Sequence, residues 1–407
     1  MQSSRANRQS EATPAAPSAG VPTAPGDSED DVTGVAGANG VNSATPLSQP
    51  IRRSHLPTMQ DIAAAAGVNQ STVSRVLTGS PNPIPINPST RQRVIDAARE
   101  MGYRPNPLAR GLRGSKTMLL GVIVREIADP FFAGAIDAIS TEANRRGYNV
   151  VLGHAHGQAD EAIALRVVLE TRYCDAIILL GDTSDQPRLV EDLRATDITV
   201  VGVNQGSSSL SGIKTVNVDN RLGIRALLDH LIELGHRSFG FIGGSFSFSG
   251  GRLLGDISER QRAFTESLTT LGMNTAPEYC QDAQNDFSGG AAGFEALMAL
   301  PDRPTAVVAS TDVLAFGALR AAHKLGLRVP EDISIVGFDD LPLAEYTTPP
   351  LTTVCQPISE MAAAAVRAAI DEPGAEATPL VEILKPTLLI RESSGPAPAH
   401  RGRVPVS

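Results

Sequence analysis

The stretch TMQDIAAAAGVNQSTVSRVLTG (residues 58–79) reads as two short helices joined by a tight turn. Thr58, with Asp61 three residues on and Pro57 before it, is a helix N-cap signal. Met59, Ile62, Ala63 and Ala66 then recur at i, i+3, i+4 and i+7, one face of a helix that Gly67 ends. Asn69 can cap a second helix over 70–77, with Thr72, Val73 and Val76 inward and Gln70, Ser71, Ser74 and Arg75 outward. Asn87 and Pro88 open a third, because a proline at the first helical position gives up an N–H that has no intrahelical partner anyway. Its inward residues are Val94, Ala97, Ala98 and Met101, and Gly102 ends it. Three short helices with a glycine turn between the first two predict a helix-turn-helix.

Working outward, this segment differs in charge from everything around it. The chain of 407 residues carries a net charge of −9, yet residues 52–116 hold ten basic and three acidic side chains, a net +7, which leaves −16 on the rest. A compact basic module on an acidic body is the electrostatic footprint of phosphate binding, although a solvated basic face would give the same count. Before it, residues 1–54 are Ala, Ser, Pro, Gly and Thr with a short acidic knot (Asp27, Glu29, Asp30, Asp31). Such a segment buries too little apolar surface to offset chain entropy and is expected to be disordered. Residues 393–407 read as a second loose tail.

After Lys116 the texture alternates. Residues 119–124, 176–180, 198–203, 239–242, 306–309 and 333–336 are short β-rich apolar runs, with helical stretches such as 132–146, 221–234 and 313–325 among them. This βαβα rhythm predicts parallel sheets covered on both faces. Ligands in such folds bind beyond the carboxyl ends of strands, so residues that follow strands are the site candidates.

The sequence also excludes classes of function. Hydrophobic residues make up 42% and charged residues 19%, ordinary for a globular chain, and no apolar run approaches the ~18 residues of a membrane-spanning helix. The first thirty residues lack the basic-then-apolar order of a signal peptide, so a cytoplasmic location is expected. Cys174, Cys280 and Cys355 have neither CxxC spacing nor an even count, which argues against a disulfide framework or a structural zinc. RGSKT (113–117) has the wrong glycine spacing for a phosphate-binding loop, GGSFSFSGG (243–251) lacks GxSxG, and His154 and His156 form an HxH without neighbouring ligands. Neither a catalytic constellation nor a metal or cofactor site is expected.

The head resembles the DNA-binding region of the LacI/GalR family of transcriptional regulators. The likeness extends through TRQRVIDAAREMGYRPNPLARGLR (90–113), DPFF (129–132), VDNRLGIRALLDHLIELGHRSFGFIGG (218–244), DISIVGFDD (332–340) and PPLTTVCQP (349–357), in order. It implies a helix-turn-helix domain over 55–103, a hinge over 104–116 and a core over 117–392 of two Rossmann-like subdomains, like a periplasmic binding protein. The first subdomain would hold 117–218 and 356–374, the second 219–355 and 375–392. The resemblance further implies a homodimer on a palindromic operator in double-stranded DNA, probing the duplex with the second helix and taking a small, sugar-like effector in the core cleft.

Carried onto this sequence, Gln70 and Ser71 take the base-reading positions. Gln can pair bidentately with adenine, Ser alone reads little, and Arg75 can reach a guanine edge or a phosphate. Asn69 and Thr72 suit backbone contacts, which position without specifying, and Thr58, Tyr103 and Asn106 join the DNA-facing set. Leu112 falls where the family inserts a leucine wedge into the central base step, flanked by Arg110 and Arg113. Gly111 departs from the more usual serine, and the loop 78–86 is about three residues longer than usual. In the core, Asp339, which ends a strand, and Arg260 match the family's effector groups, Phe131 and Phe132 can stack on a ring, and Asp182, after a strand, is a candidate by position. Thr311 stands where the family usually has asparagine, which removes an amide donor–acceptor pair. Two alternatives share parts of this pattern: a solute-binding protein for sugar uptake, and an activator or co-repressor-dependent regulator.

Overall fold

The computed structural model describes residues 57–78, 85–103, 116–154, 173–182, 191, 198–206, 213–245, 255–273, 276–371 and 381–399. The expected N-terminal tail, the hinge 104–115 with Asn106, Arg110, Leu112 and Arg113, and residues 400–407 lie outside them.

The head is three helices, α1 (Met59–Ala66), α2 (Gln70–Thr78) and α3 (Pro88–Glu100). Thr58 and Asp61 form a reciprocal capping box: the Asp61 amide donates to Thr58 Oγ1 and the Thr58 amide to Asp61 Oδ2. Gly67 closes α1 in the left-handed region (φ 63°), a conformation with a steric cost for any residue that has a Cβ. The chain then turns so that Ile62, Val73 and Val94, all fully buried, meet at the centre of the three helices. One inward position differs from the reading. Met101 follows the last helical residue, caps α3 and is 38% exposed, while Tyr103 packs against the head's core in its place.

Among the described residues, the core holds two six-stranded sheets. The first contains β1 (Leu119–Val124), β2 (Asn149–His154), β3 (Ala176–Leu180), β4 (Thr199–Val203), β5 (Lys214–Val218) and β11 (Val381–Leu384). Its order is β11-β5-β4-β3-β1-β2, every neighbouring pair parallel. The second contains β6 (Phe239–Ser245), β7 (Cys280–Gln284), β8 (Ala306–Ala309), β9 (Ser334–Asp339), β10 (Thr352–Cys355) and β12 (Thr387–Leu389). Its order is β12-β10-β9-β8-β6-β7, parallel except for β12. β1 and β3 are buried almost throughout, as strands covered on both faces must be.

Helices α4 (Pro130–Arg145) and α9 (Ile358–Ile370) pack on the first sheet, and α5 (Asn220–Glu233), α6 (Gly255–Thr270), α7 (Phe287–Met298) and α8 (Asp312–Lys324) belong with the second. The chain passes between the sheets three times: after β5, after β10 and after β11. The third passage corrects the expected boundary at 374/375. Val381 to Leu384 pair in register with Thr215 to Val218, so they extend the first sheet, and the chain leaves it only between Leu384 and Thr387. An unpaired β5 edge offers backbone donors and acceptors that this short strand satisfies.

The tail expected from residue 393 is fixed as far as residue 399. Ser393 is fully buried and its hydroxyl donates to the Ile335 carbonyl. The Gly395 amide donates to Ser334 Oγ, its carbonyl lies 3.0 Å from His236 Nε2, and the Ala397 amide donates to the Leu234 carbonyl. Hydrogen bonds hold this segment, and composition does not display them.

Candidate functional site

Between the sheets, at the carboxyl ends of their strands, lies a cleft with about 490 Å³ of open space counting its mouth, lined by residues of both subdomains. All six core residues singled out from the sequence line it: Phe131, Phe132, Asp182, Arg260, Thr311 and Asp339. The first subdomain supplies the start of α4. Asp129 caps that helix by accepting from the Phe131 amide at 2.9 Å, which sets Phe131 and Phe132 side by side as an edge-to-face pair 5.5 Å apart. Both rings are over 90% buried, so they serve the core as well as the cavity wall.

The second subdomain supplies the polar centre. Arg260, on α6, donates from Nε to Asn220 Oδ1 (2.9 Å) and from Nη1 to the Ser310 carbonyl (2.7 Å) and Asp339 Oδ1 (3.2 Å). Its guanidinium carbon sits 3.7 Å from the Phe338 ring centroid, a cation–π geometry. Asp339 ends β9 with φ 123°, a conformation that a non-glycine residue adopts only when its surroundings impose it. Gln356 Nε2 donates to the same Asp339 oxygen at 2.7 Å, and Asn204 Nδ2 donates to Gln356 Oε1 at 3.3 Å. A polar chain thus runs from the end of β4 through the start of the second crossing to Asp339. Asn204 is 3% exposed, and its Oδ1 has no hydrogen-bond partner among the described residues.

Burial dominates the electrostatics. It raises the Asp339 carboxyl well above its ordinary value although Arg260 pulls it back, raises Asp129, and pushes Asp256 up to about 6. Asp312, beside the cavity at the start of α8, is raised to about 6 in the same way and is structural: it accepts from the Leu341 amide and the Thr353 hydroxyl. Asp340 points away from Asp339 and pairs with Arg391 at 2.7 Å. A carboxyl whose folded pKa is raised stabilises the fold below its unfolded pKa and loses that contribution as pH rises through its folded value. Asp256→Asn should therefore gain stability relative to the parent as pH rises from 5 to 8, by on the order of 1–2 kcal/mol, in denaturant melts at both pH values. A pH-independent difference would contradict this assignment.

Sequence reasoning missed Arg125, Asn204, Asp256, Asn285 and Gln356 on the cavity wall. Arg125 and Asn204 directly follow β1 and β4, apolar runs legible in the sequence, so the strand-end signal could have found them; Asn285 and Gln356 follow β7 and β10, which the sequence does not mark as strands. Thr311 does more than line the wall. Its hydroxyl caps α8 through the Leu314 amide and donates to Asn285 Oδ1 at 2.8 Å, so an amide stands beside the position that lacks one.

On the head, Asn69, Gln70 and Ser71 are exposed at the N-terminus of α2, and Thr72 and Arg75 are half-buried. The Asn69 carbonyl accepts from the Thr72 and Val73 amides and so opens the helix. Thr58 is exposed and engaged with Asp61. Residues 58–106 match the family described as bacterial regulatory proteins, lacI family, and residues 228–394 match the periplasmic binding protein-like domain. The chain is 34% identical to the HTH-type transcriptional repressor CytR of Escherichia coli (strain K12) over 316 residues, 77% of this chain and 89% of that one. It belongs to the LacI family.

Two solved structures place this LacI-family chain among known folds. One is a transcriptional regulator CelR–cellobiose complex (30% identity, 83% of this chain and 100% of that one, TM-score 0.60). The other is the lac repressor dimer bound to operator and the anti-inducer ONPF (24% identity, 84% and 100%, TM-score 0.73), a likeness of fold. Among the described residues of this LacI-family regulator, no helix is long and apolar enough to cross a membrane, and no group of three or more His, Cys, Asp or Glu side chains could hold a metal ion.

Proposed function

We propose that this chain is an effector-responsive repressor that binds a palindromic operator as a homodimer and takes an uncharged, hydroxyl-rich ligand, a sugar, in the cavity. The observation that carries the reading is the convergence of Arg260, Asp339, Phe131 and Phe132 on one cavity between two subdomains, in a chain with a helix-turn-helix head. Gln70, Ser71 and Arg75 read base edges, and Asn69 and Thr72 fix the helix on the backbone. A relative of 30% identity solved with cellobiose supports the ligand class.

Charge supports the word uncharged. Four carboxylates (Asp129, Asp182, Asp256 and Asp339) line the cavity against two guanidiniums, and Arg260 is already paired with Asp339. Sugar hydroxyls donate to carboxylates, whereas a phosphate would add charge where burial already works against ionisation. Ligand binding changes the angle between subdomains and with it the separation of the two heads, an allosteric coupling that must be reciprocal. None of these steps is catalytic.

The test is selection of duplexes from a random pool by the full-length protein at stated salt. A short palindrome should be enriched, and its yield should change with pooled uncharged sugars but not with pooled sugar phosphates. Failure to enrich any motif under all three conditions would overturn the reading.

A further inference from the structure

Besides the Gln356–Asp339 bond at the second crossing, two hydrogen bonds between described residues join the subdomains across the cavity. In one, Asn285, between β7 and α7, donates from Nδ2 to Asp129 Oδ2 at 3.1 Å. In the other, the amide of Gly255, the first residue of α6, donates to Asp182 Oδ2 at 2.7 Å. Close approach accompanies the second contact: a methyl group on Gly206 would come 2.5 Å from Gly255 Cα. The subdomains are therefore held closed by their own groups.

Asn285 is equipped for this task. An asparagine amide is ambiguous, since its oxygen and nitrogen can exchange places by rotation about χ2. Turned over, Asn285 would face the Asp129 carboxylate with its own oxygen, and the two would repel. The Asp129 carboxylate can only accept, so it selects the nitrogen, and the Thr311 hydroxyl then donates to the amide oxygen on the other side. Asp129 is fixed in turn, because its other oxygen holds the Phe131 amide. A continuous hydrogen-bonded line thus joins the start of α8 to the start of α4 across the cleft.

We propose that Asn285 is a positioning residue that latches the cavity closed by donating across the cleft to Asp129, with the Thr311 hydroxyl holding the other end of its amide. The role rests on the reading that this cavity receives an effector. Every opening that admits ligand must break the Asn285–Asp129 bond, and the strength of that bond sets the population of the closed state that grips ligand.

The experiment needs neither effector nor operator, so its failure would leave the proposed function standing. The Gly255 amide donates across the cleft to Asp182, so the protection from hydrogen exchange that this bond gives it lasts only while the cleft is closed. Its exchange is followed in the full-length protein at fixed pH. Asn285→Asp sets a carboxylate against Asp129 and should speed exchange at Gly255 roughly ten- to a hundredfold, with β9 amides unchanged. Adding Asp129→Asn restores a donor–acceptor pair in the reverse sense and keeps a good helix cap, and it should return exchange to within about threefold of the parent. Thr311→Val should speed it less than Asn285→Asp. Asn285→Ala, which deletes the bond without adding charge, carries the same expectation should Asn285→Asp not fold. Parental exchange in the Asn285 variants, or a double variant as fast as Asn285→Asp alone, would overturn the latch.

Discussion

Replacing Arg260 with alanine should lower the unfolding free energy by about 3–5 kcal/mol, the usual cost of removing one partner from a buried ion pair. Arg260 and Asp339 side chains are 3% and 5% exposed, so neither can turn to water for compensation. The substitution strips hydrogen bonds from Asn220, Ser310 and Asp339 together and uncovers the face of Phe338. What remains is an Asp339 carboxyl held by Gln356 alone among the contacts above. Burial already raises its pKa and Arg260 is the strongest influence in the other direction, so without Arg260 the pKa climbs further. A raised folded pKa means stability lost as pH rises, and the variant should therefore lose more at pH 8 than at pH 6. Urea melts at the two pH values measure both effects, and an unchanged midpoint would refute the role given to the pair. Arg260→Lys should fall between, keeping the charge but losing the planar fork. Loss of effector response in such a variant reports on the fold of the second subdomain as much as on a ligand contact.

Local chemistry was the legible part of the sequence. The capping box at Thr58 and Asp61, the left-handed Gly67 and Pro88 at the start of α3 act within a few residues of themselves, so they can be read without knowing what packs where. The same holds for β1, β3 and β8, whose apolar runs show a strand buried on both faces. β7 (CQDAQ) and β5 (KTVNV) show no such run. β7 is an edge strand with one buried residue, held by its pairing with β6. β11, whose outer residues Val381 and Ile383 are exposed, is likewise defined by the strand it pairs with, which is why the third subdomain crossing was placed too early. The consequence reaches the site. Asp339 follows the end of an obvious apolar run and was found, whereas Asn285 follows a strand that only tertiary structure makes. The Thr311 substitution was visible as a missing amide; its partner 26 residues earlier was not, because no local pattern links them.

The triple replacement of Gln70, Ser71 and Arg75 by alanine should abolish operator preference while leaving the protein folded and still able to hold DNA. Gln70 and Ser71 are exposed and Arg75 is half-buried, and the buried residues that anchor the helix, Val73 and Val76, are untouched. Alanine has the highest helix propensity, so α2 is not weakened by the change. A good bidentate base contact is worth about 1–3 kcal/mol of discrimination, and Ser71 contributes less, so the ratio of operator to random-duplex affinity should drop by roughly 10²–10⁴. Non-specific affinity should fall far less, because it depends on phosphate contacts spread over the basic module. The salt dependence separates the two terms. Only Arg75 removes a positive charge, so the slope of log affinity against log salt should shrink by about one unit per head and no more. The measurement is a pair of titrations, with the selected palindrome and with a scrambled duplex, each at two salt concentrations. If the ratio survives with both affinities unchanged, α2 does not read the bases; if the ratio survives because affinity for both duplexes collapses together, the three residues hold the backbone instead. The first outcome would move recognition to the segment after Tyr103, where Leu112 and its flanking arginines lie. The second would leave the helix in the groove with its specificity supplied by the deformability of the DNA.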